Sequence, residues 1–487
     1  MNIVWAASEA VPFAKTGGLA DVSSSLPSAL ADAGHTVSVI MPFYPQKMGK
    51  LDLTYSAVYE NLKVPLGNSE EWASVRELKL KKNLTFYFVE FNRFYDRPTL
   101  YDWNGAEFSD NAERFIFLSR AVMEFSLHFD LKPDIIHAND WHTALCCVYL
   151  RSHLYRAIFP ECRSVLTIHN IGYQGNFDKS NMYWTGLGWE YFNYQCLEYF
   201  DRVNFLKGGI MTADMVSTVS PTYAKEILTP EYGFGLQDSL RQADYEGRLC
   251  GILNGIDTGC WNAATDELLP ARFTSDDLSG KAVCRKELQK QFNLPVRKNI
   301  PLFAVISRLA TQKGLDVLAE ALEMILPEQN IQVVVAASGD PGLEERYRSL
   351  AERYPEKMSV FIGYAAEKTA HLIEAGADFF LMPSRYEPCG LNQMYSMTYG
   401  TLPIVRHTGG LADTVINYSA EDPSRSTGFV LYDLYAGSLA NTILWAISVA
   451  KDHKADILQM RRNGMNTDFS WNRTAELYRK MYENAHK

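Results

Sequence analysis

The stretch PLFAVISRLATQKGLDVLAEALEMIL, residues 301–326, decides the fold class. An unbroken apolar run of strand type comes first, a short loop with two cations follows, and apolar residues at helical spacing end the stretch. An apolar run without polar alternation is typical of a strand that is covered on both faces, as in a parallel sheet. The stretch therefore predicts one strand–helix unit of a parallel α/β domain.

The same pattern recurs along the chain. In the second half, strand-type runs alternate with helical segments at 331–338, 358–363, 377–383 and 402–405. In the first half the strand-type runs are NIVWAAS, TVSVIMPF, LTFYFVEF, DIIHAN, SVLTIHN and MVSTVS. We therefore predict an α/β protein with two Rossmann-like, doubly wound parallel-sheet domains that face each other across a cleft.

The domain boundary is predicted where periodicity is lost, between Gly251 and Leu278. A chain of 487 residues is too long for one hydrophobic core. We expect a first domain at 1–255, a second at 256–465, and a C-terminal helix at 466–487 that completes the first.

Composition excludes several classes of partner. The net charge of −10 provides no basic surface for nucleic acid or for an acidic membrane. No apolar run reaches the length of a membrane helix, and the first residues indicate a buried strand rather than a signal peptide. Eight cysteines without CxxC spacing indicate a reducing compartment. We expect a cytoplasmic protein, although a processed plastid protein would look the same.

The hexapeptide TGGLAD occurs twice, at Thr16–Asp21 and at Thr408–Asp413. Each copy follows a predicted strand and precedes a predicted helix, so both should lie at carboxyl ends of strands, where α/β sheets bind ligands. In the first copy, Gly17 and Gly18 allow a ligand to approach the backbone, and Lys15 adds positive charge beside a helix start. This suits a phosphate, although a tight turn with a solvated lysine remains open. Pro27 should kink the helix or delay its regular part.

Two loops of the second half could bind a sugar phosphate. Arg308 and Lys313 flank the loop of SRLATQKG and could hold a diphosphate, unless they are merely surface cations. In PSRYEPCGLNQ, Glu387 follows a strand and would suit sugar hydroxyls, while the backbone near Gly390 could bind an anion. Cys389 is expected to pack structurally.

Histidines and acids after the first-half strands do not form a recognisable metal or hydrolase motif. His137, Asp140, His142 and His169 are placed just past predicted strand ends, without the spacing of a zinc site or a G-x-S-x-G elbow. Recognition of sugar hydroxyls by His169 with Asn170 fits better. No metal ion and no cofactor is expected.

Seven motifs, in order, carry a family resemblance: KTGGLADV, NDWHTAL, IHNIGYQG, LNGID, SRLATQKGLDVL, ADFFLMPSRYEPCGLNQ and GTLPIVRHTGGLADTV. Together they resemble bacterial glycogen synthase and plant starch synthase over the whole chain. The resemblance implies the GT-B architecture and a retaining glycosyltransferase that moves glucose from ADP-glucose to the non-reducing end of an α-1,4-glucan, releasing ADP. The first domain would then hold the acceptor and the second the nucleotide sugar.

The resemblance also implies residue roles. Lys15 with Gly17 and Gly18 would meet the donor phosphate and glucose, His169 would contact glucose near O6, and Asp140 and Asn170 would lie nearby. Asn254 would lie on the donor side, Tyr95 on the sugar-binding side, and Asp21 is a candidate without an assigned role. In the second domain, Arg308 and Lys313 would hold the diphosphate and Glu387 the glucose hydroxyls. The remaining contacts implied are adenine stacking by Tyr364 and closure around phosphate by Cys389, Gly390, Leu391 and Asn392.

Three positions depart from the family pattern. Ala365 and Ala366 stand where an acidic pair is usual, and Asn392 stands where Thr or Ile is commoner. Tyr395 stands where many related transferases carry a second glutamate, as is usual in the bacterial glycogen synthases. The choice between ADP-glucose and UDP-glucose and between glycogen and starch stays open.

Three other classes are weighed against the synthase. A dinucleotide oxidoreductase would need G-x-G-x-x-G after the first strand, which the chain lacks there. The second class is an epimerase or phosphorylase of related fold, and a phosphorylase would carry a pyridoxal-binding lysine. The third class is a non-catalytic glucan-binding protein. Lys15, Arg308, Lys313 and Glu387 favour an active transferase.

Overall fold

The computed structural model describes residues 1–103 and 105–487, which group into two compact units. Unit 1 comprises Met1–Gly255 and Trp471–Lys487, and unit 2 comprises Ile256–Ser470. Each unit is built around its own sheet.

The strands of unit 1 form one large sheet and two small ones. In chain order they are β1 (Asn2–Ala6), β2 (Thr36–Pro42), β3 (Ala57–Leu66), β4 (Ser69–Lys81), β5 (Leu84–Glu90), β6 (Asp102–Trp103), β7 (Ala106–Glu107), β8 (Ile135–Asn139), β9 (Arg163–Ile168), β10 (Asn176–Asp178), β11 (Glu198–Tyr199), β12 (Arg202–Asn204), β13 (Met215–Thr218) and β14 (Leu249–Gly251). The large sheet has nine strands in the order β14-β13-β9-β8-β1-β2-β5-β4-β3. Small antiparallel sheets join β6 to β7 and β12 to both β10 and β11.

The helices of unit 1 cover both faces of the large sheet. They are α1 (Gly18–Asp32), α2 (Pro45–Met48), α3 (Asn92–Tyr95), α4 (Asn111–His128), α5 (Asp140–Thr143), α6 (Leu145–Arg151), α7 (Met182–Thr185), α8 (Phe205–Thr212), α9 (Pro221–Glu226) and α10 (Gln237–Tyr245). Short 3₁₀ turns lie at Lys179–Asn181 and Trp189–Tyr191.

One edge of the large sheet differs from the prediction of a parallel sheet. Seven strands are parallel, but β4 pairs antiparallel with both β3 and β5. Residues 57–81 alternate between buried and more exposed positions over much of their length, because one face of this hairpin is open to solvent. The apolar-run criterion overlooked both strands for that reason.

Unit 2 has a six-stranded sheet that is parallel throughout, as predicted. Its strands are β15 (Leu302–Leu309), β16 (Gln332–Gly339), β17 (Met358–Ile362), β18 (Phe379–Met382), β19 (Leu402–Arg406) and β20 (Phe429–Leu431), in the order β17-β16-β15-β18-β19-β20. Its helices are α11 (Ser279–Gln291), α12 (Leu315–Ile325), α13 (Pro341–Arg353), α14 (Glu367–Gly376), α15 (Asn392–Thr398), α16 (Gly409–Thr414), α17 (Ala436–Asp452) and α18 (Lys454–Met465). Alternate residues of β15 and β16 enter two separate hydrophobic clusters, so both faces of the sheet are covered.

The last helix, α19 (Trp471–Ala485), packs into the core of unit 1. The hydroxyl of Tyr482 lies 2.8 Å from Nδ1 of His137, and Nε2 of His137 lies 2.6 Å from the Thr167 hydroxyl. His137 is therefore an interior residue of β8 that helps dock α19, and its predicted place past the strand end is wrong.

In both large sheets the strand order reverses beside the first strand of the unit. In unit 1 the reversal falls between β1 and β8, and in unit 2 it falls between β15 and β18. Loops that leave the carboxyl ends of these strands diverge to opposite faces and create a crevice suited to ligands. Within residues 1–103 and 105–487, every helix is too short or too polar to cross a membrane.

Candidate functional site

The loop after β1 is held by a buried carboxylate, Glu9, that sequence reasoning missed. Glu9 is 2% exposed, and its Oε2 accepts hydrogen bonds from the backbone N–H of Thr16 at 2.6 Å and from the Thr16 hydroxyl at 2.7 Å. Burial raises the pKa of Glu9 to about 7, although the bonds from Thr16 oppose this rise. Glu9 thus fixes the residue that precedes Gly17 and Gly18.

A pH-dependent contribution to stability follows from Glu9. Its pKa is about 7 in the folded chain and near 4.5 in the unfolded chain, so the folded state binds more protons between these values. We expect the stability of the wild type relative to Glu9→Gln to fall by up to about 3 kcal/mol as pH rises from about 4.5 to 8. Urea unfolding of both proteins across this range would measure it, and parallel pH profiles would contradict it.

Lys15 and Asp21 form an ion pair at the start of α1. The Lys15 ammonium lies 2.7 Å from Oδ1 of Asp21, and the lysine side chain is 45% exposed. Burial raises the pKa of Asp21, and Lys15 opposes that rise. Asp21, to which the sequence assigned no role, therefore orients the Lys15 side chain. The helix begins at Gly18 and runs past Pro27, so its regular part is not delayed as predicted.

The ends of β8 and β9 meet at Asp140, Asn139 and His169. Oδ1 of Asp140 accepts from the backbone N–H groups of His169 at 2.7 Å and Asn170 at 3.4 Å. Burial raises the pKa of Asp140 to about 7 and lowers the pKa of His169 to about 3. The neutral His169 ring donates from Nε2 to Oδ1 of Asn139 at 2.9 Å, because an amide oxygen only accepts. Nδ1 of His169 thus keeps a lone pair for a ligand hydroxyl.

Asn139 is the second residue of this site that the sequence did not reveal. Its side-chain amide also donates to the carbonyl of Ala6, at the end of β1. One side chain therefore links the ends of three neighbouring strands and sets the position of His169. Lying within the apolar run DIIHAN, it gave no signal apart from being the last polar residue of that run.

The other unit 1 candidates differ in whether their surroundings allow contact with a ligand. Asn170 accepts from the N–H of Gly172 and shapes the turn, while Oδ1 of Asn254 is buried without a hydrogen-bond partner among the described residues. Tyr95 is fully buried, and its hydroxyl donates to the carbonyl of Arg114. A ring that is enclosed by the core has no surface for a sugar, so the expected role of Tyr95 does not fit its position. His142 is likewise buried, within α5.

In unit 2, an ion pair joins the loops after β15 and β18. The Lys313 ammonium lies 2.6 Å from Oε2 of Glu387, which also accepts from the Ser384 hydroxyl at 2.9 Å. Glu387 is 5% exposed, yet its Oε1 is neither hydrogen-bonded within the described chain nor fully enclosed. The arrangement leaves one carboxylate oxygen and the further donors of the ammonium for a ligand.

Arg308 precedes Lys313 in the sequence. It is the penultimate residue of strand β15 and does not belong to the loop that follows the strand. Its side chain is exposed, and its guanidinium has no hydrogen-bond or ion-pair partner in the part of the chain that the structure describes. An unpaired guanidinium at the end of a central strand is available for a bidentate contact with an anion.

A second set of contacts holds the two loops together. The Arg385 guanidinium forms two hydrogen bonds to the carboxylate of Asp316, at 2.7 and 2.6 Å, and the backbone N–H of Arg385 donates to the carbonyl of Gln312. Gly314 lies at φ +65°, and a Cβ there would be 2.0 Å from the carbonyl oxygen of Pro383. The turn at 311–314 can therefore approach the second loop only because residue 314 is glycine.

The second TGGLAD copy packs beneath the Glu387 loop. The N–H of Gly410 donates to the carbonyl of Glu387 at 3.1 Å, and a Cβ on Gly410 would be 2.0 Å from the carbonyl oxygen of Cys389. In the first copy, a Cβ on Gly17 would meet only Oε1 of Glu9, at an ordinary 3.9 Å. Both copies start a helix. Gly17 corresponds to Gly409, where a Cβ would be 1.9 Å from the carbonyl oxygen of Glu387, so contacts with the protein require the glycine at 409 and leave space at Gly17.

This difference predicts unequal stabilities for alanine variants at the corresponding positions Gly17 and Gly409. Gly409→Ala forces a methyl group into the carbonyl of Glu387, at a φ of +42°, and should cost about 1–3 kcal/mol of unfolding free energy. Gly17→Ala should change it by less than about 0.5 kcal/mol, because the space is free and φ is −152°. Urea unfolding of the two variants measures both values. Equal destabilisation would mean that the two copies have the same packing role.

The last candidates lie around α15 and after β17. Cys389 is buried, Gly390 lies at φ +71°, and Leu391 precedes the first residue of α15, Asn392, whose amide donates to the carbonyl of Ile306. Tyr364 follows β17 and is 86% exposed, so its ring is open for stacking.

Comparison with known proteins supplies the family. Residues 2–242 match the starch synthase catalytic domain family, and residues 285–461 match the family of glycosyl transferases group 1. Glycogen synthase of Anaeromyxobacter sp. (strain Fw109-5) is 44% identical, with 99% of each chain covered. The chain belongs to the glycogen synthase family.

Solved structures agree with membership of the glycogen synthase family. The catalytic domain of starch synthase IV from Arabidopsis thaliana, bound to ADP and acarbose, matches with a TM-score of 0.89 and 31% identity over 99% of each chain. Sucrose-phosphate synthase from Thermosynechococcus elongatus, at 19% identity and a TM-score of 0.59, shares the fold. The predictions of a GT-B fold and of a glycosyltransferase of the glycogen and starch synthase type are confirmed.

Proposed function

We propose that this glycosyltransferase uses ADP-glucose and adds its glucose, with retention of configuration, to the non-reducing end of an α-1,4-glucan. The observation that carries this proposal is the position of Arg308 and of the Lys313–Glu387 ion pair at the strand reversal of unit 2. The similarity to a starch synthase that binds ADP and acarbose supports a nucleoside diphosphate donor and a glucan acceptor. We also propose a cytoplasmic location, which the similarity to bacterial glycogen synthases supports.

Positive charge would stabilise the leaving diphosphate. As the bond between the anomeric carbon and phosphate breaks, negative charge develops on the ADP oxygens. We assign Arg308 and Lys313 to these oxygens and, in unit 1, Lys15 and the space at Gly17. Fixed cations aimed at a developing anion are usually the largest single contribution to such catalysis.

Neutral and acidic groups would hold the sugar. We assign Oε1 of Glu387 and Nδ1 of His169 as acceptors for glucose hydroxyls, and the unpartnered Oδ1 of Asn254 as a third acceptor. The low pKa of His169 keeps its ring neutral, so it accepts a hydroxyl proton without adding charge. Asp140 and Asn170 would hold the loop that presents His169.

The nucleotide base and the remaining phosphate contacts are assigned to exposed elements of unit 2. The open ring of Tyr364 would stack on adenine, and the backbone of residues 389–392 would line the phosphate. Ala365 and Ala366 supply no side-chain hydrogen bond to the base, so base selectivity must come from other groups.

Retention would proceed by attack on the face that the diphosphate leaves. A double displacement needs a carboxylate nucleophile, but Oε2 of Glu387 is already bound to Lys313 and Ser384, and its other oxygen is assigned to a hydroxyl. The bond from C1 to phosphate breaks, the acceptor O4 bonds to C1, and its proton passes to the departing phosphate oxygen. Trapping of a covalent glucosyl–enzyme adduct would contradict this step.

The proposal is tested with a maltooligosaccharide labelled at its reducing end. Incubation with ADP-glucose should lengthen the labelled chain by glucose units, release one ADP per unit, and give a product that β-amylase shortens again to the label. β-Amylase digests α-1,4 chains from the non-reducing end, so it reports linkage and direction together. Release of free glucose without elongation would contradict the proposal.

A further inference from the structure

A cysteine, a glutamate and a histidine of unit 2 converge at a place that the proposed reaction does not use. The possible ligand atoms of Cys260, Glu367 and His371 all lie within 4.8 Å of one another. Because this cluster lies wholly inside unit 2, its geometry is independent of unit 1. We propose that Cys260, Glu367 and His371 form a binding site for a zinc-type divalent cation.

His371 carries the strongest indication. The residue is 0% exposed, and its Nε2 is buried without a hydrogen-bond partner among the described residues. Its other nitrogen, Nδ1, lies 2.7 Å from Oδ2 of Asp266, which also accepts from the hydroxyl of Tyr399 at 2.6 Å. A carboxylate that binds one ring nitrogen fixes the tautomer and turns the lone pair of the other nitrogen toward a metal. A buried ring nitrogen that has neither a hydrogen-bond partner nor a metal ion destabilises the folded state.

The backbone presents all three ligands in a defined arrangement. Glu367 is the first residue of α14 and His371 comes four residues later, so both side chains lie on one face of the helix. Cys260 comes from the 257–262 loop, which lies between β14 and α11. In this loop, Oδ1 of Asp257 accepts from the backbone N–H groups of Gly259 and Cys260 and forms a turn. The indole of Trp261 stacks on the His371 ring at 3.9 Å and holds its orientation.

The ligand types select the metal. A thiolate, an imidazole and a carboxylate together suit Zn²⁺, whereas Mg²⁺ and Ca²⁺ prefer oxygen ligands alone. Ligand atoms around tetrahedral zinc lie about 3.5 Å apart, so the site closes by small movements of the ligand side chains, of which Glu367 is exposed. The fourth position remains for water. The ion would tie the 257–262 loop to the start of α14, three residues after Tyr364.

The test is metal content of tag-free full-length protein, measured by mass spectrometry after zinc loading and desalting. We expect about one zinc ion per chain, at least a fivefold loss in Cys260→Ser and in Glu367→Gln, and no loss in Cys250→Ser. Cys250 is a matched control because it is a half-buried cysteine of unit 1. His371 is left unchanged, since its buried contacts with Asp266 and Tyr399 make misfolding an expected effect of its replacement.

A second measurement separates the site from adventitious binding. Co²⁺ in place of zinc should give a thiolate-to-cobalt absorption band in the wild type and in Cys250→Ser, and none in Cys260→Ser. Zinc at about a hundredfold excess over its Kd should raise the thermal midpoint of unit 2 by about 5–10 °C. Substoichiometric zinc, or zinc content that both ligand variants retain, would overturn the proposal. These readouts do not involve glucose transfer, so they stand apart from the proposed function.

Discussion

Arg308→Ala should lower kcat/KM for ADP-glucose by about 10²–10³-fold. The guanidinium is exposed and has no partner within the described chain, so its hydrogen bonds are available to a ligand. If it binds the departing diphosphate, its removal takes away charge stabilisation that is strongest in the transition state. The loss should therefore fall mainly on kcat, and the unfolding free energy should stay within about 0.5 kcal/mol of the wild type.

Arg348→Ala is the matched control for Arg308. Arg348 is an exposed arginine of the same unit, on α13, where it pairs with Glu344 and Glu345. Its removal should leave steady-state kinetics unchanged. A loss of activity below about fivefold in Arg308→Ala, measured under the same conditions, would remove Arg308 from the proposed diphosphate site.

Glu387→Ala should lower kcat/KM by at least about 10²-fold and also reduce stability by about 1–3 kcal/mol. The carboxylate accepts from Lys313 and Ser384, so its removal leaves an ammonium and a buried hydroxyl without their acceptor. Loss of Oε1, which we assign to a sugar hydroxyl, should add to the kinetic effect. Glu387→Gln keeps an acceptor in place and should recover most of the stability but little of the activity.

Glu323→Ala separates these effects from the general cost of breaking an ion pair. Glu323 lies on α12 and pairs with Arg346 at the surface. We expect a change in stability of about 0–1 kcal/mol and no change in activity. If Glu387→Ala behaved like this control in both measurements, Glu387 would not belong to the sugar site.

The architecture of unit 2 followed from local patterns, whereas one edge of unit 1 did not. Unbroken apolar runs such as 302–306 and 333–337 identify strands that are buried on both faces, and the motifs after them fall at the strand ends. The half-exposed hairpin at 57–81 carries no such signal, because its pattern depends on which face meets solvent.

Residues that support the site were harder to find than residues that face a ligand. Glu9 and Asn139 act through contacts with Thr16, His169 and Ala6, and the last two lie far away in sequence from Asn139. Motif spacing identifies loops but not the side chains that hold them. The family resemblance implied that Tyr95 lies on the sugar-binding side, whereas long-range packing buries it.

The measurement that tests the central proposal most directly is the transfer of labelled glucose into glycogen, run in parallel with ADP-glucose and UDP-glucose. We expect strong incorporation from ADP-glucose and little from UDP-glucose. Equal or faster incorporation from UDP-glucose would contradict the donor assignment and direct attention to the surroundings of Tyr364. The absence of transfer from both donors would contradict the proposed function itself.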